Sequence, residues 1–358
     1  MHRFFPPALS TTVRRLGVVA VSCLAVATLA SCGGGTQSKK FVPESLVVFG
    51  DEFSLIKPNG ATYASNAYIS PATAAPYSCV AHPIWIQYFA DALRFSFNNE
   101  CTDWNTYARS AVMLANDPGD VHLNFPIPTD AGSIASADTA VANAGVNAVL
   151  TKINNNVGIL NDKTLVTVSA GRANIVRAYL TYLASPDSAT LSSLTSSLET
   201  QGKAFSAGLR PIIDKGARMM LVLTPNLGAS PLAKADLPNR DRNMAALQAL
   251  SKAFNEGVEL GASIAGFTGQ QVSLVRIDQV TDVIAANPAT YLGSTYDIDN
   301  PACKPPGPTA PLCMDDTASL DSADALSTHM WIDATHLNPY AQSTFSSIVY
   351  SAFTRNPF

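Results

Sequence analysis

Two short segments of the sequence carry the side-chain types that acid–base and nucleophilic chemistry require. Near the carboxyl terminus, Asp333 and His336 are three residues apart, a spacing that puts both side chains on one side of a turn. A carboxylate beside an imidazole suits general acid–base catalysis, although an aspartate that caps a turn near a surface histidine has the same spacing. Near the amino terminus, Asp51, Glu52 and Ser54 follow directly after an apolar run.

The elements that would position these side chains alternate between short β-branched runs and longer helical patterns. Strands are predicted at Ser45–Phe49, Thr164–Ser169, Arg218–Leu223 and Gln271–Ile277. Helices are predicted at Trp85–Phe97, Asn174–Leu183, Leu191–Lys215 (bent or broken by Pro211), Arg240–Ile264 and Pro339–Phe353, with Pro301–Ser327 as a long insertion. This alternation predicts an α/β fold with a mostly parallel sheet, and ligands bind beyond the carboxyl ends of such strands. Gly50–Ser54, Ser169–Asn174 and Thr224–Gly228 should therefore border any site.

Three segments, in this order along the chain, resemble conserved blocks of the SGNH, or GDSL-type, ester hydrolases. Val47–Ser54 (VVFGDEFS) is similar to the first block, Leu223–Gly228 (LTPNLG) to the exit of the fourth strand, and Trp331–Pro339 (WIDATHLNP) to the last block. The resemblance implies a three-layer α/β/α sandwich with a flavodoxin-like sheet. It also implies ester hydrolysis, in which Asp333 orients His336 and His336 takes the proton of a serine nucleophile.

The chain departs from the family pattern at the positions that would perform the chemistry. Glu52 stands at the nucleophile position, where its ionised carboxylate would oppose the oxyanion that ester cleavage builds. Ser110 stands where the second block has an oxyanion-binding glycine. In the third block, an ungapped alignment puts Ala173 at the position of the donor asparagine, whereas a one-residue insertion makes Asn174 the donor, and both registers stay open. Loss of one such donor costs on the order of 10²–10³ in rate.

Further residues could serve the same cleft. Ser54 is a candidate for a displaced nucleophile, although two residues of helix turn it by about 200° from Glu52. Ser169 is a more remote candidate. Asp51 and Gly171 would border the cleft, and three further side chains could either bind an anion there or lie on the surface: Tyr107, Arg109 and Arg172.

The amino terminus is typical of a bacterial lipoprotein. Residues 1–31 read as a signal peptide, because a basic start precedes an apolar run of about 15 residues, which is shorter than the roughly 20 residues of a membrane span. Leu29-Ala30-Ser31-Cys32 resembles a lipobox, which implies a lipid anchor on Cys32, with Gly33 favouring the outer membrane. A flexible tether would follow at 32–43 and the α/β domain at 44–358. A signal peptide with an incidental cysteine is the alternative.

Composition and the remaining cysteines limit the partners. Without the signal, 20 basic and 27 acidic residues leave a net charge of −7, and no basic stripe indicates a nucleic-acid partner. An even number of cysteines in an oxidising compartment predicts disulfides, and of three possible pairings proximity favours Cys79–Cys101 and Cys303–Cys313. Without a CxxC motif we expect no metal, and we expect no cofactor and a monomer.

Two functions remain open at this level. Loss of the nucleophile and of the oxyanion donors predicts an impaired enzyme that binds a ligand or partner in the cleft, with Glu52 and His336 forming an ion pair. The intact pair of Asp333 and His336 predicts instead an active carboxylic-ester hydrolase that uses Ser54 or Glu52 as a displaced nucleophile. By resemblance, the ligand would be an acyl ester, a lipid or an acetylated glycan. A structural lipoprotein with a vestigial cleft is a third hypothesis.

Overall fold

A twisted layer of parallel strands forms the centre of the protein in a computed structural model. The structure describes residues 40–70, 76–97, 107–118, 131–291, 296–304, 312–356 and 358. Within them the strands, in chain order, are β1 (Ser45–Gly50), β2 (Ser65–Asn66), β3 (Phe95–Ser96), β4 (Arg109–Met113), β5 (Thr164–Ser169), β6 (Arg218–Val222), β7 (Val272–Val275), β8 (Asp297–Pro301), β9 (Cys313–Met314) and β10 (His329–Trp331).

The main sheet has the order β3-β4-β1-β5-β6-β7, and all its neighbouring strands are parallel. Without the short edge strand β3, the order is that of flavodoxin-like sheets, in which the first strand lies between the second and the third. β1 and β5 pair along their whole length, from Ser45 opposite Thr164 to Gly50 opposite Ser169. The predicted fold class, a mostly parallel sheet in an α/β fold, is confirmed.

Helices cover both faces of the sheet. They are α1 (Trp85–Ala92), α2 (Ala131–Ala144), α3 (Val146–Asn156), α4 (Arg172–Ala184), α5 (Ser188–Gly208), α6 (Arg210–Asp214), α7 (Pro231–Lys234), α8 (Arg240–Ile264), α9 (Ile277–Ala286), α10 (Pro288–Tyr291), α11 (Ala325–Thr328) and α12 (Pro339–Arg355), with 3-10 turns at Glu52–Ser54, Val157–Ile159, Leu227–Ala229 and Leu237–Asn239.

Two hydrophobic cores lie on opposite faces of the sheet, and alternation along β1 shows the division. Leu46 and Val48 pack with α1 and α12, whereas Val47 and Phe49 pack with α3, α4, α5 and α8. Strands that are buried on both faces read as continuous apolar runs, which is why β1 and β5 were predictable from the sequence. The result is a three-layer α/β/α sandwich, and the carboxyl ends of its parallel strands form the edge at which a ligand site is expected.

Several elements differ from the sequence predictions. The helix predicted at Trp85–Phe97 ends at Ala92, and its last residues enter β3 so that the aromatic rings of Phe95 and Phe97 are buried. β4, α2 and α3 were not predicted. The predicted break at Pro211 is confirmed, because α5 ends at Gly208 and α6 begins at Arg210 with proline in its first turn.

The cysteine predictions can be followed in part. The disulfide between Cys303 and Cys313 is confirmed, with the two Cα atoms 6.0 Å apart. Cys79 is also disulfide-bonded, but Cys101, its predicted partner, and Cys32, the predicted lipid site, lie outside the described residues. No helix within the described ranges is both long enough and apolar enough to cross a bilayer.

Candidate active site

The turn after β1 fixes where Glu52 lies. Gly50 has a φ of +146°, and a Cβ at this position would collide with the carbonyl oxygen of Ser169 on β5. Glycine alone tolerates both that conformation and this close approach. The chain then enters the 3-10 turn, where the Asp51 amide donates to the Ser169 carbonyl at 3.0 Å and Asp51 Oδ1 accepts from the Phe53 amide at 3.3 Å. Glu52 therefore follows directly at the carboxyl edge of the sheet.

Asp333 and His336 meet in a turn between β10 and α12. Asp333 Oδ1 accepts hydrogen bonds from the backbone amides of Thr335, at 2.8 Å, and His336, at 2.7 Å. Asp333 Oδ2 lies 2.6 Å from His336 Nδ1. A carboxylate at Nδ1 fixes the ring orientation and leaves Nε2 as the atom that faces the rest of the site.

Glu52 occupies the space in front of His336. Its Oε1 lies 3.6 Å from His336 Nε2, which is an ion-pair distance and too long for a hydrogen bond, and Nε2 has no hydrogen-bond partner among the described residues. The same Oε1 accepts a hydrogen bond from Arg172 Nε, and Arg172 Nη1 donates to Thr335 Oγ1 at 2.7 Å. The exposed fractions are 1% for Glu52, 4% for His336 and 6% for Arg172, so the group is sealed from bulk water.

The ionisable side chains of this buried group shift one another's pKa values. Burial raises the pKa of Glu52, but Arg172 and His336 together outweigh burial and lower that pKa to about 2. Burial likewise opposes ionisation of Asp333, yet His336 lowers the Asp333 pKa to about 2. Burial and the Arg172 charge lower the pKa of His336, but Asp333 and Glu52 together raise it more, so the His336 pKa lies above its ordinary value. The two carboxylates thus face the Arg172 guanidinium and the His336 ring, and this pairing offsets part of the cost of removing their charges from water.

Asp51 is the exception to this pairing. Burial and the neighbouring Glu52 carboxylate raise the pKa of Asp51 to about 8, against the Arg172 charge and two backbone amide donors. Those donors, from Phe53 and Arg172, are long at 3.3 and 3.4 Å. Asp51 is therefore mostly protonated at neutral pH, and Glu52 and Asp333 carry the negative charges of the site.

A tyrosine that sequence reasoning missed covers the histidine. The Tyr63 ring stacks on the His336 ring with centroids 5.4 Å apart, and its hydroxyl donates to Asp117 Oδ1 at 2.6 Å. Lys57 Nζ lies 3.2 Å from Asp117 Oδ2 and 4.8 Å from the centre of the Tyr63 ring. Nothing local in the sequence signals this contact, whereas Thr335, the partner of Arg172, lies within the last block itself.

Three predicted cleft residues lie away from the site. The register of Leu46 opposite Ala111 puts Ser110 at the beginning of β4, exposed and paired with Ser96, at the opposite end of the sheet from Gly50. Arg109 and Tyr107 lie at that same end, where Arg109 donates to backbone carbonyls and Tyr107 donates to Asp91 at 2.7 Å. The residues that follow β4 at the carboxyl edge are instead Asn116 and Asp117.

The segment that resembles the third block brings the charged side chain of Arg172 into the site, and not the amide of Asn174. Gly171 precedes α4 as its N-cap residue, with a φ of +127° and close to the Phe254 ring, and the Arg172 side chain then enters the site. Asn174 turns away: its Oδ1 accepts from the Val146 amide at 3.1 Å and its Nδ2 donates to Gln201 at 2.8 Å. Ala173 has no side-chain donor and is buried.

The candidate serine nucleophiles are both buried. Ser54 is completely inaccessible, and its hydroxyl has no hydrogen-bond partner among the described residues. Ser169 is buried opposite Gly50 in the sheet. Within the described part of the chain, no cluster of three or more histidine, cysteine, aspartate or glutamate residues has the arrangement of a metal site.

Comparison with solved structures finds several similar chains. No protein-family model matches the chain, and no curated protein matches it. A crystal structure of the lipase Lip_vut3 from a goat rumen metagenome is similar, at 11% sequence identity and a TM-score of 0.43, over 86% of this chain and 96% of that chain.

Proposed function

We propose that this protein is a non-hydrolytic relative of the SGNH-type ester hydrolases that binds a ligand at the carboxyl edge of its sheet. The observation that supports this is the ion pair between Glu52 and Arg172 in front of His336. A hydrolase of this type needs a hydroxyl at that place which His336 can deprotonate. The position is filled by a carboxylate that has no proton to give.

The surroundings of Glu52 also oppose ester cleavage. The carboxylate is 1% exposed and its charge is neutralised by Arg172, which makes it a poor nucleophile. A developing oxyanion would lie beside this fixed negative charge. The Asn174 amide is committed to Val146 and Gln201, so it cannot donate to an oxyanion without breaking both bonds.

An active hydrolase with a displaced nucleophile is the second candidate. It is favoured by the intact contact of Asp333 with His336 and by the absence of a hydrogen-bond partner for His336 Nε2 among the described residues. Ser54 is the serine nearest in sequence to the nucleophile position, and its hydroxyl is also unpartnered there. Because Ser54 is fully buried, this mechanism requires the 3-10 turn to open.

Hydrolysis of p-nitrophenyl acetate and butyrate separates the two candidates. We expect the purified chain beginning at Cys32 to hydrolyse both esters no faster than its His336→Ala variant does. His82→Ala is the matched control, because His82 is a surface histidine paired with Asp315 and contributes only non-specific imidazole hydrolysis. Turnover that is lost in His336→Ala and retained in His82→Ala would contradict the proposal.

A fluorophosphonate probe tests the serine version separately. Intact-mass analysis should show no adduct on the native protein after incubation with the probe. An adduct that maps to Ser54 by peptide sequencing, and that disappears in His336→Ala, would replace the proposed function with the serine-hydrolase alternative.

We further propose that a lipid on Cys32 tethers the protein to the outer membrane. The lipobox-like segment before Cys32 supports this, and the disulfide between Cys303 and Cys313 suits an oxidising compartment. The native protein should partition with outer-membrane vesicles, and Cys32→Ser should release it into the soluble fraction. A Cys32→Ser variant that stays in the membrane fraction would contradict the lipid anchor.

A further inference from the structure

A cavity at the carboxyl end of β4 has the size of a small-molecule site. Its volume is about 720 Å³, within the range of roughly 300–1,000 Å³ that ligand pockets occupy. Three parts of the chain line it: the loop after the 3-10 turn, from Leu55 to Pro58; the end of β4 with the loop that follows, from Met113 to Asp117; and the adjoining parts of α2 and α3.

The lining of this cavity is rich in groups that bind hydroxyls. Three asparagine side chains and one threonine border it: Asn116, Asn143, Asn155 and Thr151. Asn116 Nδ2 donates to the Asn143 carbonyl and Asn143 Nδ2 to the Pro118 carbonyl, but Asn116 Oδ1 has no partner among the described residues, and Asn155 is exposed. An amide offers both donors and an acceptor, so it pairs well with a hydroxyl group that does the same. An acyl chain would leave these groups unpaired and pay for their desolvation.

The charges at the cavity favour a single negative charge on the ligand. Lys57 and Asp117 border it and pair with each other at 3.2 Å. Lys152 on α3 also borders it and has no carboxylate partner in the described part of the chain. Among the described lining residues, Lys152 therefore contributes a positive charge that has no carboxylate partner.

We infer that this cavity binds a monoanionic, polyhydroxylated ligand of the hexuronic acid class. The ligand carboxylate would pair with Lys152, and its hydroxyls would bond Asn116 Oδ1 and the Asn155 amide. This inference rests on the proposed function, because it names the ligand class for a cleft that binds without hydrolysing. A chain of contacts links the cavity to His336. Asp117 borders the cavity and accepts a hydrogen bond from the Tyr63 hydroxyl, and the Tyr63 ring stacks on the His336 ring.

Binding of glucuronate and galacturonate, measured by titration calorimetry on the intact chain, tests the inference. We expect at least one of them to bind and to shift the His336 ring signals in NMR spectra, with glucose, galactose and hexanoate binding at least ten-fold more weakly. Lys152→Met should weaken uronate binding at least ten-fold. Lys215→Met is the matched control and should not change it, because Lys215 is exposed after α6, before the amino end of β6.

Three outcomes would overturn the inference. They are no uronate binding at millimolar concentration, equal binding of the neutral sugars, and preferential binding of hexanoate. Failure of the proposed function appears in a different experiment, as ester turnover that depends on His336. A chain that neither hydrolyses esters nor binds uronates would refute the ligand class alone.

Discussion

Removing both partners of the Glu52–Arg172 pair should cost clearly less stability than the sum of the costs of removing each one alone. Arg172→Met keeps much of the side-chain volume but leaves a carboxylate that is 1% exposed without its main counter-charge. Breaking a buried ion pair in this way typically costs about 3–5 kcal/mol, and Glu52→Gln should cost a similar amount because it strands the guanidinium. The double variant leaves neither charge unpaired, so we expect a coupling of about 2–3 kcal/mol between the two substitutions.

Urea unfolding of the disulfide-intact protein, followed by circular dichroism, measures this coupling. The matched control is the pair of Lys252 and Glu256, which lie 2.7 Å apart on the surface of α8. Its cycle of Lys252→Met and Glu256→Gln should give a coupling below about 0.5 kcal/mol, since exposed helix pairs contribute little. A Glu52–Arg172 coupling as small as that of the surface pair would refute the argument that Arg172 neutralises a buried charge.

Three further substitutions test the surroundings of the pair. Gly50→Ala should lower the free energy of unfolding by about 2 kcal/mol or more, because alanine disfavours a φ of +146°. Gly158→Ala is the control and should be nearly neutral in the same urea experiment, because Gly158 has open space around it. Equal losses in the two variants would contradict the turn geometry. Burial raises the pKa of Asp51 from 3.8 to about 8, so its contribution to stability is complete below pH 3.8 and is lost as pH rises through 8. Asp51→Asn should therefore flatten the decline of Tm between pH 5 and 9. An unchanged slope would contradict the protonated state of Asp51. Asp333→Asn should lower the pKa of His336 in an NMR titration, because the carboxylate is what holds that pKa above its ordinary value, and an unchanged pKa would contradict this.

Local features of the site were accessible from the sequence because they depend on neighbouring residues. Asp333 and His336 meet in one turn, so their spacing of three predicts the contact that the structure has. Gly50 ends a continuously apolar strand, and the carboxyl edge of a parallel sheet is where ligands bind. The position of Glu52 at that edge follows from these two facts, as does the possibility of its facing His336.

The partner of Glu52 could not be predicted, because it depends on contacts between distant segments. Arg172 is 120 residues away in sequence, and its side chain enters the site only because Gly171 turns α4 against the Phe254 ring. The same turn directs Asn174 away toward α3 and α5, which neither of the two alignments considered for it could show.

The predicted position of Ser110 was wrong for a different physical reason. β4 has alternating exposure, with Ala111 and Met113 buried and Ser110 and Val112 exposed, so it lacks the continuous apolar run of the central strands. Without a recognised strand, no register could be assigned, and Ser110 was placed at the wrong end of the sheet. Tyr63 lies in a loop, and its contact with His336 is set by tertiary packing alone.

The ionisation state of Glu52 tests the central claim most directly. With carboxyl-¹³C-labelled glutamate and a Glu52→Gln spectrum for assignment, the Glu52 resonance can be followed by NMR as pH is lowered. The Arg172 charge holds the Glu52 pKa at about 2, so the resonance should keep its ionised chemical shift down to pH 4, and Arg172→Met should move its titration to higher pH. A Glu52 resonance that titrates above pH 6 in the native protein would contradict the account. The Glu52 side chain would then be a protonated acid at neutral pH and not a carboxylate paired with Arg172.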